Sequence, residues 1–82
     1  MATEINEKIQ VGAIFRGSKI RPAWFVWEGR KYVVKDVTYS WYARDGNVTY
    51  CHFSVTDGAN LFEISFNLNT VEWRLNKIWE GV

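Results

Sequence analysis

The sequence is short of the residues from which most metal sites and reactive centres are built. Its 82 residues include one cysteine, Cys51, and one histidine, His52. One cysteine cannot form an internal disulfide, so we expect a protein of a reducing compartment, the cytoplasm. The two side chains together fall short of the three or four ligands of a zinc site, so no metal is expected.

Long apolar stretches and targeting signals are missing as well. No apolar run approaches the ~18–20 residues that a helix needs to cross a bilayer. The first eight residues lack the charged and then apolar layout of a signal peptide. Ten Lys and Arg against nine Asp and Glu leave a net charge of +1, too small to indicate a nucleic-acid or membrane partner by itself. A membrane partner is therefore not expected.

No arrangement of residues predicts an enzyme or a bound cofactor. The patterns G-x-x-x-x-G-K-[ST], G-x-G-x-x-G and G-x-S-x-G are all absent from the sequence. Cys51 and His52 are neighbours in a predicted strand, where consecutive side chains point to opposite faces, so they cannot form a dyad. Asp45 and Asp57 lie at the two ends of that strand, roughly 40 Å apart, which is too far for a carboxylate pair. We expect a protein that binds and does not catalyse.

What the chain does contain is the composition of one small folded domain. Hydrophobic residues make up 48% of it, aromatic residues 17% and charged residues 23%, which excludes a disordered chain. The 14 aromatic side chains supply much of the core that so short a domain needs. We expect a single β domain over residues 8–82, preceded by a polar, frayed segment over residues 1–7.

The distribution of β-branched and aromatic residues predicts an all-β fold. Short runs of Val, Ile, Thr, Tyr, Phe and Trp alternate with glycine-containing turns, which indicates six antiparallel strands in a meander. The first three predicted strands are Ile9 to Phe15, Ala23 to Trp27 and Lys31 to Ala43, the last with a β-bulge near Lys35. A flat sheet would leave the apolar second strand bare, so we expect a strongly bent sheet or a small, partly open barrel.

The turns between the last four strands predict their register. Loops are expected at residues 44–46, 57–60 and 69–70. All three loops direct the same set of apolar side chains to one face and leave the other face polar. The pairs that they imply are Val37 with Phe53, Tyr39 with Cys51, Trp41 with Thr49, Phe53 with Ile64, Cys51 with Phe66, Ile64 with Leu75 and Phe66 with Trp73.

Charge is unevenly distributed along the chain. Residues 16–35 contain six basic residues and one acid, a net charge of +5, whereas residues 45–82 carry a net charge of −3. The basic segment also contains the aromatic second strand. Cations for phosphates and π-faces for bases are what single-stranded nucleic-acid binding requires. The candidate interface residues are Arg16, Lys19, Arg21, Trp24, Trp27, Arg30 and Lys31.

A second interpretation uses the same strand for a different partner. Residues Ala23 to Trp27 are apolar on both faces, and a short domain has difficulty in covering both. Uncovered Trp24 and Trp27 side chains would be anchors for a protein partner or a homodimer. Strand curvature that buries both faces is the competing explanation.

Several segments together resemble a known group of proteins. They are WFVWEGRKYVV at residues 24–34, FSVTDG at 53–58, FEI at 62–64 and WRL at 73–75. The chain is similar, over about residues 20–80, to small bacterial β domains of the domain-of-unknown-function type, one of them common in actinobacteria. The resemblance implies a bacterial source, a compact β module and no assigned activity. Members of such groups sometimes occur near DNA-repair polymerases, which favours the nucleic-acid interpretation, but they offer no functional residues to transfer.

Overall fold

The computed structural model describes residues 2–81 and shows an all-β protein of seven strands, one more than predicted. Between residues 2 and 81 no helix is long and apolar enough to span a membrane. The strands are β1 (Ala2–Arg16), β2 (Lys19–Trp27), β3 (Arg30–Val33), β4 (Asp36–Asp45), β5 (Val48–Thr56), β6 (Leu61–Asn67) and β7 (Glu72–Trp79).

The seven strands form one antiparallel sheet in the order β3-β2-β1-β7-β6-β5-β4. Strand β1 is long enough to join its two parts: its beginning pairs with β7, and its end pairs with β2. The two edge strands of the sheet are therefore β3 and β4, which are consecutive in the chain. In a simple meander the edge strands would be the first and the last. This arrangement corrects the prediction of six strands in a meander.

The connection between the two edge strands shows how strongly the sheet bends. Val34 donates its N–H to the Ala23 carbonyl at 2.9 Å, and Lys35 donates to the Thr56 carbonyl at 2.8 Å, so consecutive residues bind to β2 and β5. The edges of a flat seven-stranded sheet would lie roughly 29 Å apart at ~4.8 Å per strand. The link from Val33 to Asp36 reaches only about 11 Å. The sheet therefore curls until its edges approach, but it does not close.

Two of the three predicted registers are confirmed. Strand β5 pairs with β6 as expected, with Phe53 opposite Ile64 and Cys51 opposite Phe66. Between β6 and β7, the predicted pairs of Ile64 with Leu75 and Phe66 with Trp73 are both present. The loop between these strands comprises four residues, 68–71, and not the predicted two.

The predicted register of β4 against β5 is wrong. Asp45 pairs with Val48, so the loop has two residues and begins with Gly46 at a φ of 62°. This shifts the pairing by three residues and places Trp41 opposite His52. An odd shift reverses the faces, so Tyr39 and Trp41 lie on the outer face and not in the core. A bulge between Val37 and Tyr39 returns Val37 to the inner face, opposite Val55.

Other predicted boundaries also move. The single strand from Lys31 to Ala43 is two strands, because the chain changes sheet edge at Val34 and Lys35. The segment expected to be frayed belongs to β1 from Ala2 onward, while Met1 lies outside the described residues. The first two predicted strands, Ile9 to Phe15 and Ala23 to Trp27, leave residues 16–22 as their connection, but β2 already begins at Lys19, so the connection is a two-residue turn.

The inner face of the curled sheet forms the hydrophobic core. Phe25 stacks on Tyr32 and meets Phe62 edge-on, which links β2 and β3 to the opposite wall of the sheet. The buried hydrophobic residues are Phe25, Val34, Cys51, Phe53, Val55, Phe62, Ile64, Phe66, Leu75 and Ile78.

Candidate nucleic-acid interface

Strands β1, β2 and β3 bring most of the predicted cations together on one outward face. Arg16 pairs with Lys19 at the tip of the β1–β2 hairpin, and Val26 pairs with Lys31 across β2 and β3. A register shift between Gly12 and Ala13 lies between the hairpin tip and Trp24. Because of this bulge, Trp24 lies on the same face of β2 as Lys19 and Arg21. We call this the basic face and define it by five side chains. They are Arg16, Lys19, Arg21, Trp24 and Lys31.

Trp24 lies at the centre of the basic face because its strand neighbour has no side chain. Gly12 is paired with Trp24, and a Cβ at Gly12 would collide with the indole ring. The ring therefore occupies the space above Gly12 and is half-buried. The Lys31 ammonium lies 5.0 Å from the indole centroid, within the range of a cation–π contact. The indole is thus held in place and close to positive charge.

The cations of the basic face are not neutralised by neighbouring acids. Within residues 2–81 the ion pair formed by a lysine or arginine is Lys8 with Glu72, and it does not involve this face. Two apolar side chains accompany the cations: Ile14 is 52% exposed and Val33 is 60% exposed. The surface can therefore attract anions and also offers apolar area.

Two of the predicted interface residues lie on the opposite face of the same strands. Trp27 points inward and donates its indole N–H to a Glu7 carboxylate oxygen at 3.3 Å. The Arg30 guanidinium lies 5.4 Å from the Tyr32 ring. Both line a cleft of about 310 Å³ at one end of the curled sheet, together with Asp57. The structure thus divides the candidate set into five residues on one face and two on the other.

The charge of Asp57 is set by the loop between β5 and β6. Partial burial raises the pKa of its carboxyl group, but backbone N–H groups of the loop, including those of Asn60 and Ala59, and the charge of Arg30 outweigh it. Its pKa lies below the ordinary value as a result. The carboxylate accepts hydrogen bonds from Ala59 at 2.9 Å and from Asn60 at 2.8 Å. Asp57 therefore acts as an anionic turn residue, as its place beside Gly58 in the sequence indicates.

The neighbours Cys51 and His52 lie on opposite faces of β5. Cys51 is 4% exposed in the core, whereas the His52 ring stacks on Trp41 on the outer face, with centroids 5.1 Å apart. Burial raises the pKa of the Cys51 thiol, and a hydrogen bond with Tyr42 lowers it in part. Within the described chain, no group of three or more His, Cys, Asp or Glu residues could hold a metal ion.

A further cavity lies on the outer face of β4, β5, β6 and β7, where the sequence predicts only a solvated polar surface. We call this cavity of about 430 Å³ the polar groove. No local pattern in the sequence could reveal it, because its shape depends on sheet curvature and on the β4–β5 register. Its lining residues are Asn6, Ala43, Arg44, Asp45, Tyr50, His52, Glu63, Ser65, Arg74, Asn76 and Lys77.

Comparison of the chain with protein-family models, with curated proteins and with solved structures finds no match. Among the surfaces described above, the basic face combines unneutralised cations with a fixed aromatic ring.

Proposed function

We propose that this protein is a non-enzymatic binding module that holds single-stranded nucleic acid weakly on the basic face. The observation that carries the proposal is the position of four cations and Trp24 on one face of β1, β2 and β3, where no carboxylate of residues 2–81 forms an ion pair with any of the four. Phosphate groups need such cations, and a base needs an exposed π-face.

In the proposed complex the chain of nucleic acid crosses the three strands. Arg16, Lys19 and Arg21 contact phosphates at the hairpin tip, and one base stacks on Trp24. Lys31, which now lies over the indole, moves aside to a phosphate. One stacked base contributes about 1–3 kcal/mol, so the affinity expected with a few phosphate contacts is in the micromolar range.

The family resemblance supports the same proposal. A bacterial protein acting in the cytoplasm near DNA-repair polymerases would meet single-stranded DNA. A bacterial source and a cytoplasmic location are part of this proposal.

A protein partner or a homodimer is the alternative, and one observation favours it. Ile14 and Val33 lie exposed on the same face as Trp24, so an apolar patch adjoins the cations. An apolar association persists as salt rises, whereas binding to phosphates weakens. Salt dependence therefore separates the two candidates.

The proposal is tested by titration of tryptophan fluorescence with single-stranded oligonucleotides at two salt concentrations. We expect quenching whose affinity falls by about 0.7 log units per phosphate contact for each tenfold rise in salt. The double variant Arg21→Glu/Lys31→Glu should lose binding with its fold intact. The matched control Arg44→Glu/Lys77→Glu has the same net charge but leaves the basic face unchanged, so it should retain most of the binding.

Two results would contradict the proposal. One is equal loss of binding in both double variants, which would mean that net charge alone governs it. The other is the absence of quenching at low salt together with a concentration-dependent dimer in sedimentation, which would favour the apolar interface.

A further inference from the structure

The polar groove is shaped by two irregularities in neighbouring strands. The pairing of β1 with β7 shifts between Glu4 and Glu7, where Asn6 has a φ of 54°. The pairing of β6 with β7 shifts between Glu63 and Ile64, so that Asn76 becomes an extra residue in β7. Bulges redirect side chains and are frequent beside binding sites. Here both bulged residues line the same cavity.

The bulge in β7 organises the base of the groove. Asn76 donates its side-chain N–H to a Glu63 carboxylate oxygen at 3.3 Å, and its amide oxygen accepts from the Ser65 hydroxyl at 3.4 Å. Ser65 is only 4% exposed, although it lies on the outer face of the sheet. The polar base of the groove is therefore fixed before any ligand arrives.

One buried polar atom of the groove has no hydrogen-bond partner among residues 2–81. The Nδ1 atom of His52 is shielded from solvent and makes no hydrogen bond, and the nearest carboxylate oxygen, on Glu63, is 3.8 Å away. A buried polar atom without a partner carries a cost and indicates a group that is completed by water or by a ligand. The ring itself is held by stacking on Trp41.

Positive charge exceeds negative charge around the groove. Its lining contains three cations, Arg44, Arg74 and Lys77, and two acids, Asp45 and Glu63. Within residues 2–81 none of the three cations lies in an ion pair. Arg74 donates to the Asn6 carbonyl at 2.8 Å, which fixes its guanidinium at the wall. A guanidinium or an ammonium that faces a polar cavity without a carboxylate partner is a ready site for an oxyanion.

We propose that the polar groove binds the anionic group of a small molecule, a phosphate ester or a carboxylate. Arg74 and Lys77 contact the anion, and the hydroxyl of Ser65 and the imidazole of His52 contact the same ligand from the base of the groove. This site is separate from the basic face and does not depend on nucleic-acid binding.

The test is an amide and imidazole NMR titration of the full chain with inorganic phosphate, with acetate and with uncharged glucose, at constant ionic strength. We expect saturable shifts at Ser65, Arg74 and Asn76 and at the His52 ring with an anion, and none with glucose. A stronger response to phosphate assigns a phosphate ester, and a stronger response to acetate assigns a carboxylate. Lys77→Gln should weaken binding about tenfold through the loss of one charged contact, whereas the control Lys35→Gln, outside both the groove and the basic face, should not.

Three outcomes would overturn this inference. The anions could shift basic residues over the whole surface without saturation, or Lys77→Gln could bind as the unaltered protein does. Alternatively, no shift at the groove could appear at tens of millimolar anion. Oligonucleotide binding at Trp24 could persist in each case, so the two proposals fail separately.

Discussion

Gly12 and Trp24 show how one missing side chain determines the position of a functional one. The indole occupies the space that any Cβ at position 12 would need. The sequence shows a glycine inside a predicted strand, but only the register of β1 against β2 reveals that Trp24 fills the gap.

A substitution at position 12 tests this arrangement. Gly12→Ala should displace the indole and destabilise the fold by about 1–3 kcal/mol, as overpacking does. In a Trp24→Ala background the same change should be neutral or stabilising, since alanine is preferred to glycine within a strand. Chemical denaturation of the four proteins measures the coupling. Equal effects of Gly12→Ala in both backgrounds would exclude the proposed contact.

The buried thiol of Cys51 gives a pH-dependent prediction. Burial, opposed in part by Tyr42, holds the thiol pKa above its ordinary value, so the folded state favours the neutral thiol. Above about pH 8.5 the thiol ionises more readily in the unfolded state than in the folded state. The contribution of this thiol to the free energy of unfolding therefore falls as the pH rises. We expect the unfolding free energy of the unaltered protein to fall relative to Cys51→Ala between neutral and strongly alkaline pH. A constant difference across that range would contradict the burial of Cys51.

At the scale of elements, turn chemistry predicted some hairpins and misled on others. The register of β5 against β6 follows from a four-residue loop that begins with Asp57 and Gly58, whose side-chain and backbone preferences suit that loop. Arg44-Asp45-Gly46 is compatible with both a three-residue and a two-residue loop, because glycine serves either. Local residue preferences could not distinguish the two loop lengths. The two-residue loop that the structure has places Trp41 on the outer face of the sheet.

The turn between β6 and β7 contains a strained residue that offers a test at this scale. Val71 has a φ of 61°, which is costly for a β-branched side chain, and it is 69% exposed. Val71→Gly should raise the unfolding free energy by about 0.5–1 kcal/mol, because relief of strain exceeds the entropy that glycine adds to the unfolded chain. The control Leu68→Gly, in the same turn, should lower it. A loss of stability in Val71→Gly would show that the turn does not adopt this conformation.

At the scale of the whole molecule, the all-β class and most of the core could be predicted, but the closure of the sheet could not. The pairing of β1 with β7 joins residues more than 60 positions apart and has no local signal. Because β1 bridges the two parts, the unpaired edges fall at β3 and β4.

The candidate site follows the same pattern. Charge and aromatic content located the basic segment in the sequence, and five of its seven candidates share a face. The other two candidates lie on the opposite face because side chains alternate along a strand. Trp27 is an odd number of positions from Trp24 on β2, and Arg30 is an odd number of positions from Lys31 on β3. The polar groove arises from two bulges and a register that turn signals alone did not resolve.

An amide NMR titration with a short oligodeoxythymidylate at low salt tests most directly whether single-stranded nucleic acid binds the basic face. We expect the largest shifts at Arg21, Lys31 and the indole N–H of Trp24, and we expect them to disappear at high salt. Shifts confined to the polar groove or to the cleft beside Trp27, or no shifts at all, would contradict this expectation.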